Sequence, residues 1–276
     1  MVTLKDDDPA SGAEIVIQTR EVGYDEYTKG LVFATGLYLL HDCRGLYMTM
    51  QLLHALRWAR FQDVIDAFVT WMGKAAGNGI VDLWRDGENH FEQTSKYVWR
   101  GAIAYAALHR HRQDMDKLLK SFVGERLECI AEAQGGRADL VHAAVEFDLL
   151  NRPYLYVQTP LQVGVELERL QIREQRRGVW MVESPFDFPA MVGALRTRGE
   201  MSARDWQRGK FEVTIDHRPG QAFHPSTKSE GELYWHCDRL IGAIRQTEAQ
   251  YQTRNLERVM VTDAGEINRP GSVGSV

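Results

Sequence analysis

Histidine and cysteine stand close together at two places in the sequence, and both residue types are zinc ligands. The two segments are His41-Asp42-Cys43 and His236-Cys237-Asp238. Adjacent and alternate residues on a helix point in different directions, so neither segment presents two ligands to one ion. We therefore predict ordinary helical residues at both places and no metal site in this chain.

Other common catalytic patterns are missing from the sequence. There is no Gly-x-Ser-x-Gly turn of a serine hydrolase, and no glycine-rich loop of the kinds that hold ATP, GTP or NAD. No Cys-x-x-Cys pair occurs, and Asp42 offsets the effect of Arg44 on the thiol between them. Cys129 falls in a predicted amphipathic helix, which favours a small core residue.

The segment Asn151-Arg152-Pro153-Tyr154-Leu155-Tyr156 is the remaining candidate. Pro153 ends the preceding helix, because proline lacks the backbone N–H and clashes with the previous turn. An arginine beside tyrosines at a helix end can line a polar pocket. We take Arg152, Tyr154 and Tyr156 as candidate substrate-binding residues. Half-buried aromatic residues in an extended segment give the same pattern, and that alternative stays open.

Hydrophobic periodicity predicts the elements that would position these residues. The predicted helices of the first half span residues 24–41, 46–59, 61–71, 89–109, 114–133 and 138–150. Asn89 is predicted as an N-cap, with Glu92 as its capping-box partner. A short β-branched run at residues 14–18 precedes these helices and predicts a strand.

The pattern is mixed after residue 151. We predict helices at 161–176, 186–196 and 232–253, and strands at 178–182, 210–215 and 256–261. The predicted fold is mainly α, with a helical bundle in the first half and a few short strands in the second half. The predicted organisation is a flexible lead-in (1–12), the bundle (13–150), a mixed α/β subdomain packed on it (151–262) and a disordered tail (263–276).

Composition limits the classes of partner. The chain has 276 residues and a net charge of −5, with no basic stripe to attract nucleic acid. Its longest apolar run, Leu31 to Leu40, is half of the roughly 20 residues that span a bilayer. An acidic start at Asp6–Asp8 is not typical of a signal peptide, and three cysteines do not pair evenly. We therefore expect a cytoplasmic protein without a membrane span.

The order of segments resembles one protein family. A strand-like run (Glu14–Thr19) leads to Tyr24-Asp25-Glu26-Tyr27, an apolar stretch ends in His41-Asp42, and a further helix starts at Leu46. This order resembles the region after the radical domain in cobalamin-binding radical SAM proteins. Phe61–Phe68 and Phe186-Asp187-Phe188-Pro189 resemble later elements of the same family. The resemblance implies that the chain is similar to the C-terminal helical part of such an enzyme.

The motifs that bind cofactors in that family are missing. The Cys-x-x-x-Cys-x-x-Cys run that holds a [4Fe–4S] cluster does not occur, and Asp216-His217 departs from the cobalamin-binding Asp-x-His-x-x-Gly. No catalytic residue of the family can therefore be assigned here. The resemblance implies an iron–sulfur cluster, S-adenosylmethionine and cobalamin only for the related full-length enzymes, and none bound by this chain alone.

Three functional readings remain at this point. The resemblance implies an accessory module that helps to form the substrate site of a catalytic radical SAM domain on the same or a partner chain. A free-standing helical protein that binds a small molecule or a partner in a biosynthetic pathway is the alternative. Seven tryptophans and ten tyrosines suit a pocket, and they suit a core equally well. An independent enzyme that uses histidine and glutamate as acid and base is the third reading, so whether the chain is an enzyme stays open.

Overall fold

The computed structural model describes residues 2–5, 14–18, 21–89, 96–133, 136–152, 167–176, 179–200, 208–214 and 256–257. Within these ranges the chain is mainly α-helical, with a helical first half and short strands in the second half. The predicted fold class is thereby confirmed. None of the helices in these ranges has both the length and the apolar character needed to cross a membrane.

The helices of the first half follow the hydrophobic periodicity of the sequence. They are α1 (Tyr24–Leu37), α2 (Tyr47–Ala55), α3 (Phe61–Met72), α4 (Gly79–Asn89), α5 (Lys96–Tyr105), α6 (Arg112–Phe122), α7 (Glu128–Ala133) and α8 (Ala138–Asn151). Helices α1, α5 and α6 continue into five-residue π turns at Tyr38–Asp42, Ala106–Arg110 and Val123–Leu127. Helix α9 (Phe188–Arg198) lies in the second half.

The strands form two antiparallel sheets. Strand β1 (Val2–Lys5), within the stretch predicted as a lead-in, pairs with β2 (Glu14–Gln18). The second sheet has the order β3-β4-β5-β6, built from Gln171–Arg176, Val179–Ser184, Gly209–Thr214 and Leu256–Glu257. The strands predicted at 178–182 and 210–215 are therefore present as β4 and β5.

The predicted helix at residues 161–176 is wrong over its described part. Residues 171–176 form strand β3, and Ile172 lies opposite Val182 of β4. A strand partner supplies cross-strand contacts that the periodicity of one segment cannot reveal. Residues 161–166 and the predicted helix at 232–253 lie outside the described ranges, as does most of the predicted strand at 256–261.

The prediction of Asn89 as an N-cap is also wrong, because Asn89 is the last residue of α4. Asn78 begins this helix instead. Its Oδ1 accepts hydrogen bonds from the backbone N–H groups of Ile80 and Val81, each at 3.0 Å. The apolar spacing of the sequence predicts no helix between residues 71 and 89, so α4 is a helix that the sequence analysis missed.

Helix α2 is shorter than the predicted 46–59. It ends at Ala55, and Arg57 adopts a left-handed backbone with a φ of 60°. A residue with a left-handed backbone cannot continue a right-handed helix, so α2 ends before Arg57. The apolar spacing of the sequence continues beyond that point and therefore predicted a longer helix.

Helix α8 contributes to both of the buried apolar clusters. Val141, Val145 and Leu149 belong to the larger cluster, formed mainly by the helices of the first half. Leu140, Phe147 and Leu150 belong to the second cluster, which includes Phe188 of α9 and Val182 of β4. The surface of α8 is therefore covered on several sides, and any charged residue on its covered faces needs a partner.

Candidate functional site

Three charged residues in or directly after α8 are almost completely buried. Glu146, Asp148 and Arg152 are 2 %, 3 % and 1 % exposed. Each forms its polar contacts with a different part of the chain. Charged groups are rarely found at such positions unless they are paired. These three side chains are therefore expected to have structural or chemical roles, as are the other buried charged residues Arg112 and Asp116.

Asp148 caps the N-terminus of α2. Its carboxylate accepts hydrogen bonds from the backbone N–H groups of Met48 at 2.7 Å and Thr49 at 2.8 Å. The Thr49 hydroxyl donates a third bond at 2.7 Å. Leu46 precedes the helix and has no side-chain acceptor, so the cap comes from another helix. Burial raises the pKa of Asp148 to about 7, although the three donors and the charge of Arg44 act in the opposite direction.

The chain reaches α2 through a constrained corner. Arg44 has a φ of 59°, an uncommon conformation for a residue with a side chain. Its guanidinium lies 3.8 Å from the centre of the Tyr47 ring. His41 Nδ1 lies 2.9 Å from Asp42 Oδ1, and the His41 ring lies 4.9 Å from that of Tyr47. His41 thus has two partners within the corner, the Asp42 carboxylate and the Tyr47 ring.

Glu146 holds the segment before β3. Its two carboxylate oxygens accept hydrogen bonds from the backbone N–H groups of Glu168, Arg169 and Leu170 at 2.8–3.0 Å. The Arg169 guanidinium lies 3.5 Å from the same carboxylate. These bonds satisfy three backbone N–H donors that would otherwise need another hydrogen-bond acceptor. They also connect the second half of the chain to α8.

Arg152 and Arg112 form a reciprocal pair at the end of α8. Arg152 Nη2 donates to the Arg112 carbonyl oxygen at 3.2 Å, and Arg112 Nη2 donates to the Arg152 carbonyl oxygen at 3.1 Å. Arg112 Nη1 lies 3.4 Å from the Leu108 carbonyl oxygen. Arg152 Nη2 also contacts Asp116 Oδ1 in a buried ion pair. We call Arg112, Asp116 and Arg152 the arginine cluster.

The arginine cluster retains unused hydrogen-bonding capacity. Nε and Nη1 of Arg152 are buried and have no hydrogen-bond partner, and the same is true of Asp116 Oδ2. Buried donors on a charged group without acceptors cost more than neutral ones. An anionic group is the kind of acceptor that these donors of Arg152 would bind most strongly.

The candidate residues predicted from sequence are placed unequally by the structure. Arg152 is at the centre of the arginine cluster. Tyr154 and Tyr156 lie outside the described residues, so their role stays a prediction. Sequence reasoning missed Asp116 and Asp148. A usable signal was present, because Glu146 and Asp148 interrupt the otherwise apolar stretch at residues 143–150. Arg112 and Asp116 also share a helix face at i and i+4.

Two of the three cysteines of the sequence lie within the described residues. Cys43 is buried after the first π turn, whereas Cys129 is exposed on α7. The prediction of Cys129 as a core residue is wrong, because Leu127 and Ala131 occupy the buried face of that segment. No group of three or more histidine, cysteine or acidic residues suitable for a metal ion occurs within the described ranges.

Histidines paired with carboxylates occur on separate elements. His142 Nε2 lies 3.1 Å from Glu128 Oε2, between α8 and α7. Burial lowers the pKa of His109, whose ring lies 5.2 Å from that of Tyr105. A histidine oriented by a carboxylate can act as a general base. The His142–Glu128 pair, like the His41–Asp42 pair, is an arrangement in the described chain that suits an acid–base enzyme.

Comparison with protein-family models, curated proteins and solved structures gave no match to this chain. The functional proposals below therefore rest on the sequence and on the geometry of the described residues.

Proposed function

We propose that this chain is a helical accessory module of a cobalamin-dependent radical SAM enzyme and that it helps to form the substrate site. The proposal rests on the order of segments. Strand β2 (Glu14–Gln18) is followed by α1 from Tyr24, then a π turn that includes His41-Asp42, then α2 from Tyr47. This is the order on which the family resemblance depends, and it supports the proposal.

The buried polar contacts give such a module its rigidity. Asp148 ties α8 to α2, Glu146 ties it to the segment before β3, and Arg152 is paired with α6. A substrate site is effective only when the groups that line it are held in position. We assign these residues to positioning and binding, and we assign the radical chemistry to a catalytic domain on the same or a partner chain.

The second candidate function is a free-standing protein that binds a small molecule. The unpartnered nitrogens of Arg152 favour it, because a ligand can use them without any catalytic domain. This reading requires no radical SAM partner, so the two proposals differ in what accompanies the chain in the cell.

The mass of the native gene product in its source cells tests the proposed function. The chain itself has a mass of 31.5 kDa. Under the proposal, an antibody to the chain detects either a much larger protein or a complex that contains one, and the isolated material carries iron and cobalamin. A 31.5 kDa product without an iron- or cobalamin-containing partner would contradict the proposal and favour the free-standing binding protein.

A matched specificity control uses variants of the chain. Asp148→Asn alters the buried cap of α2, whereas Asp139→Asn alters an exposed carboxylate paired with Arg137. If the chain assembles with a catalytic domain through its folded helices, each of the two variants should co-purify with that domain as long as the variant itself is folded. Recovery of the partner by heat-unfolded chain would show that the association is non-specific.

A further inference from the structure

We propose that the arginine cluster is a binding site for the carboxylate of a small organic acid, with Arg152 as its principal donor. This inference rests on the proposed function only if the bound acid is to be called the substrate of a radical SAM enzyme. Binding by the chain itself is measured whether or not a radical SAM partner exists.

Arg152 has the donors that such a ligand requires. Its side chain is 1 % exposed, and only Nη2 among its three nitrogens has acceptors. Nε and Nη1 are buried without a partner. A buried guanidinium is strongly stabilised when its remaining N–H groups meet an anionic acceptor, because such hydrogen bonds are stronger than neutral ones.

The charge of Arg152 favours a carboxylate. Its guanidinium is positively charged, and Nε and Nη1 have no acceptor while Nη2 contacts Asp116. A carboxylate supplies both negative charge and two acceptor oxygens. Its planar pair of oxygens also matches the planar N–H groups of a guanidinium. A water molecule can accept hydrogen bonds from Arg152 but supplies no charge.

Asp116 indicates which further group the ligand carries beside its carboxylate. Its Oδ1 receives Arg152, whereas Oδ2 is buried without a hydrogen-bond donor. A hydroxyl or amino group next to the ligand carboxylate would supply that donor. The cluster therefore fits a 2-hydroxy or 2-amino acid better than a simple fatty acid.

Arg152 follows the last residue of α8. Helix ends open locally at lower free energy than helix centres. We therefore expect the ligand to bind when the end of α8 opens, and not through a permanent channel.

Titration of the ¹⁵N-labelled chain with glycolate tests the proposal, with glycolamide as the neutral analogue at constant ionic strength. The Nε–H resonance of Arg152, identified by its loss in Arg152→Lys, should move in a saturable manner with glycolate and not with glycolamide. Arg152→Lys should weaken glycolate binding about tenfold or more, because it removes the planar set of donors. Inorganic phosphate at the same ionic strength should compete weakly.

Arg137→Lys is the matched control, because Arg137 forms an exposed pair with Asp139. It should leave glycolate binding unchanged. The proposal fails if no Nε–H resonance of the wild-type chain responds selectively to glycolate, even when Arg152→Lys does not fold. It also fails if glycolamide binds equally well, if phosphate binds more tightly, or if a folded Arg152→Lys variant retains full affinity.

Discussion

Asp148 shows at the scale of one residue how burial and hydrogen bonding compete. Three donors favour its ionised form, but burial favours the protonated form and raises its pKa to about 7. The folded chain therefore holds a proton at pH values where the unfolded chain, with an ordinary Asp pKa of 3.8, has released it. Stability then depends on pH through this side chain.

Asp148→Asn should reveal this dependence, because asparagine does not titrate. The folded-state pKa of Asp148 is raised, so its contribution to stability is greatest near pH 4 and is lost as pH rises to about 7. The free energy of unfolding of the wild type, minus that of Asp148→Asn, should fall by up to about 1.4 kcal/mol for each pH unit in this range. Urea unfolding at pH 5, 6, 7 and 8 measures it.

Asp139→Asn is the control for this titration. Its hydrogen bond with Arg137 lowers the pKa of Asp139 from its ordinary value of 3.8, so this carboxylate is ionised between pH 5 and 8 in both folded and unfolded chains. Its difference from the wild type should be constant between pH 5 and 8. A constant difference for Asp148→Asn as well would show that Asp148 is ionised throughout.

Asp116 and Asp139 separate buried from exposed ion pairs. Asp116→Ala removes the carboxylate from a fully buried Arg152 and should lower the free energy of unfolding by about 3–5 kcal/mol. Asp139→Ala removes a partner of the exposed Arg137 and should cost less than about 1 kcal/mol. Urea unfolding monitored by circular dichroism compares them, and equal losses would contradict the burial of the Arg152 pair.

At the scale of elements, the corner between α1 and α2 depends on close backbone contact. Gly45 N donates to the Leu39 carbonyl oxygen at 3.1 Å, within the π turn that ends α1. A Cβ on Gly45 would lie 2.7 Å from the same oxygen. Glycine is therefore required here by space, and the corner in turn sets the position at which α2 meets Asp148.

Gly45→Ala should destabilise the protein by about 1–3 kcal/mol, because the backbone must move to admit a methyl group. Gly30→Ala is the matched substitution within α1, where an added Cβ has no neighbour within 4 Å. It should stabilise the protein by about 0.5–1 kcal/mol, since alanine loses less conformational entropy in a helix. Thermal unfolding of both variants gives the comparison, and a Gly45→Ala variant at least as stable as the wild type would contradict the close contact at Gly45.

At the scale of the whole molecule, α8 contributes residues to both apolar clusters. Phe147 packs against Phe188 of α9 with 5.3 Å between ring centres, whereas Leu149 belongs to the cluster of the first-half helices. A helix shared in this way couples the stability of the two clusters, because neither can lose α8 without disturbing the other.

Phe147→Ala and Leu149→Ala test this coupling. Each should lower the free energy of unfolding, by about 3–5 kcal/mol for the phenylalanine and about 2–5 kcal/mol for the leucine. Both variants should still unfold in a single transition. Tryptophan fluorescence, to which the buried Trp71 and Trp84 contribute, and far-ultraviolet circular dichroism should give coincident curves. Separate transitions in either variant would show that the clusters unfold independently.

Local pattern was sufficient for much of the fold. The apolar spacing of α1, α3 and α8 predicted these helices within a few residues, because a helix that packs on a core must repeat its apolar residues every three to four positions. Helix α4 and strand β3 were not recognised. Asn78 caps α4 close to two glycines, and β3 depends on pairing with β4. Pairing between segments is not encoded in the period of either one.

The sequence by itself determined the fold class and the positions of most first-half helices, and it singled out Arg152. Only the tertiary structure decided which charged groups meet. Asp148 caps α2 by bonds to Met48 and Thr49, which lie 100 and 99 residues earlier in the chain. Arg152 pairs with the Asp116 carboxylate, 36 residues away. Helix periodicity results from contacts over three or four residues. A buried cap or ion pair depends on how distant helices pack. Burial at these places raises the pKa of Asp148 and leaves two nitrogens of Arg152 without a hydrogen-bond acceptor.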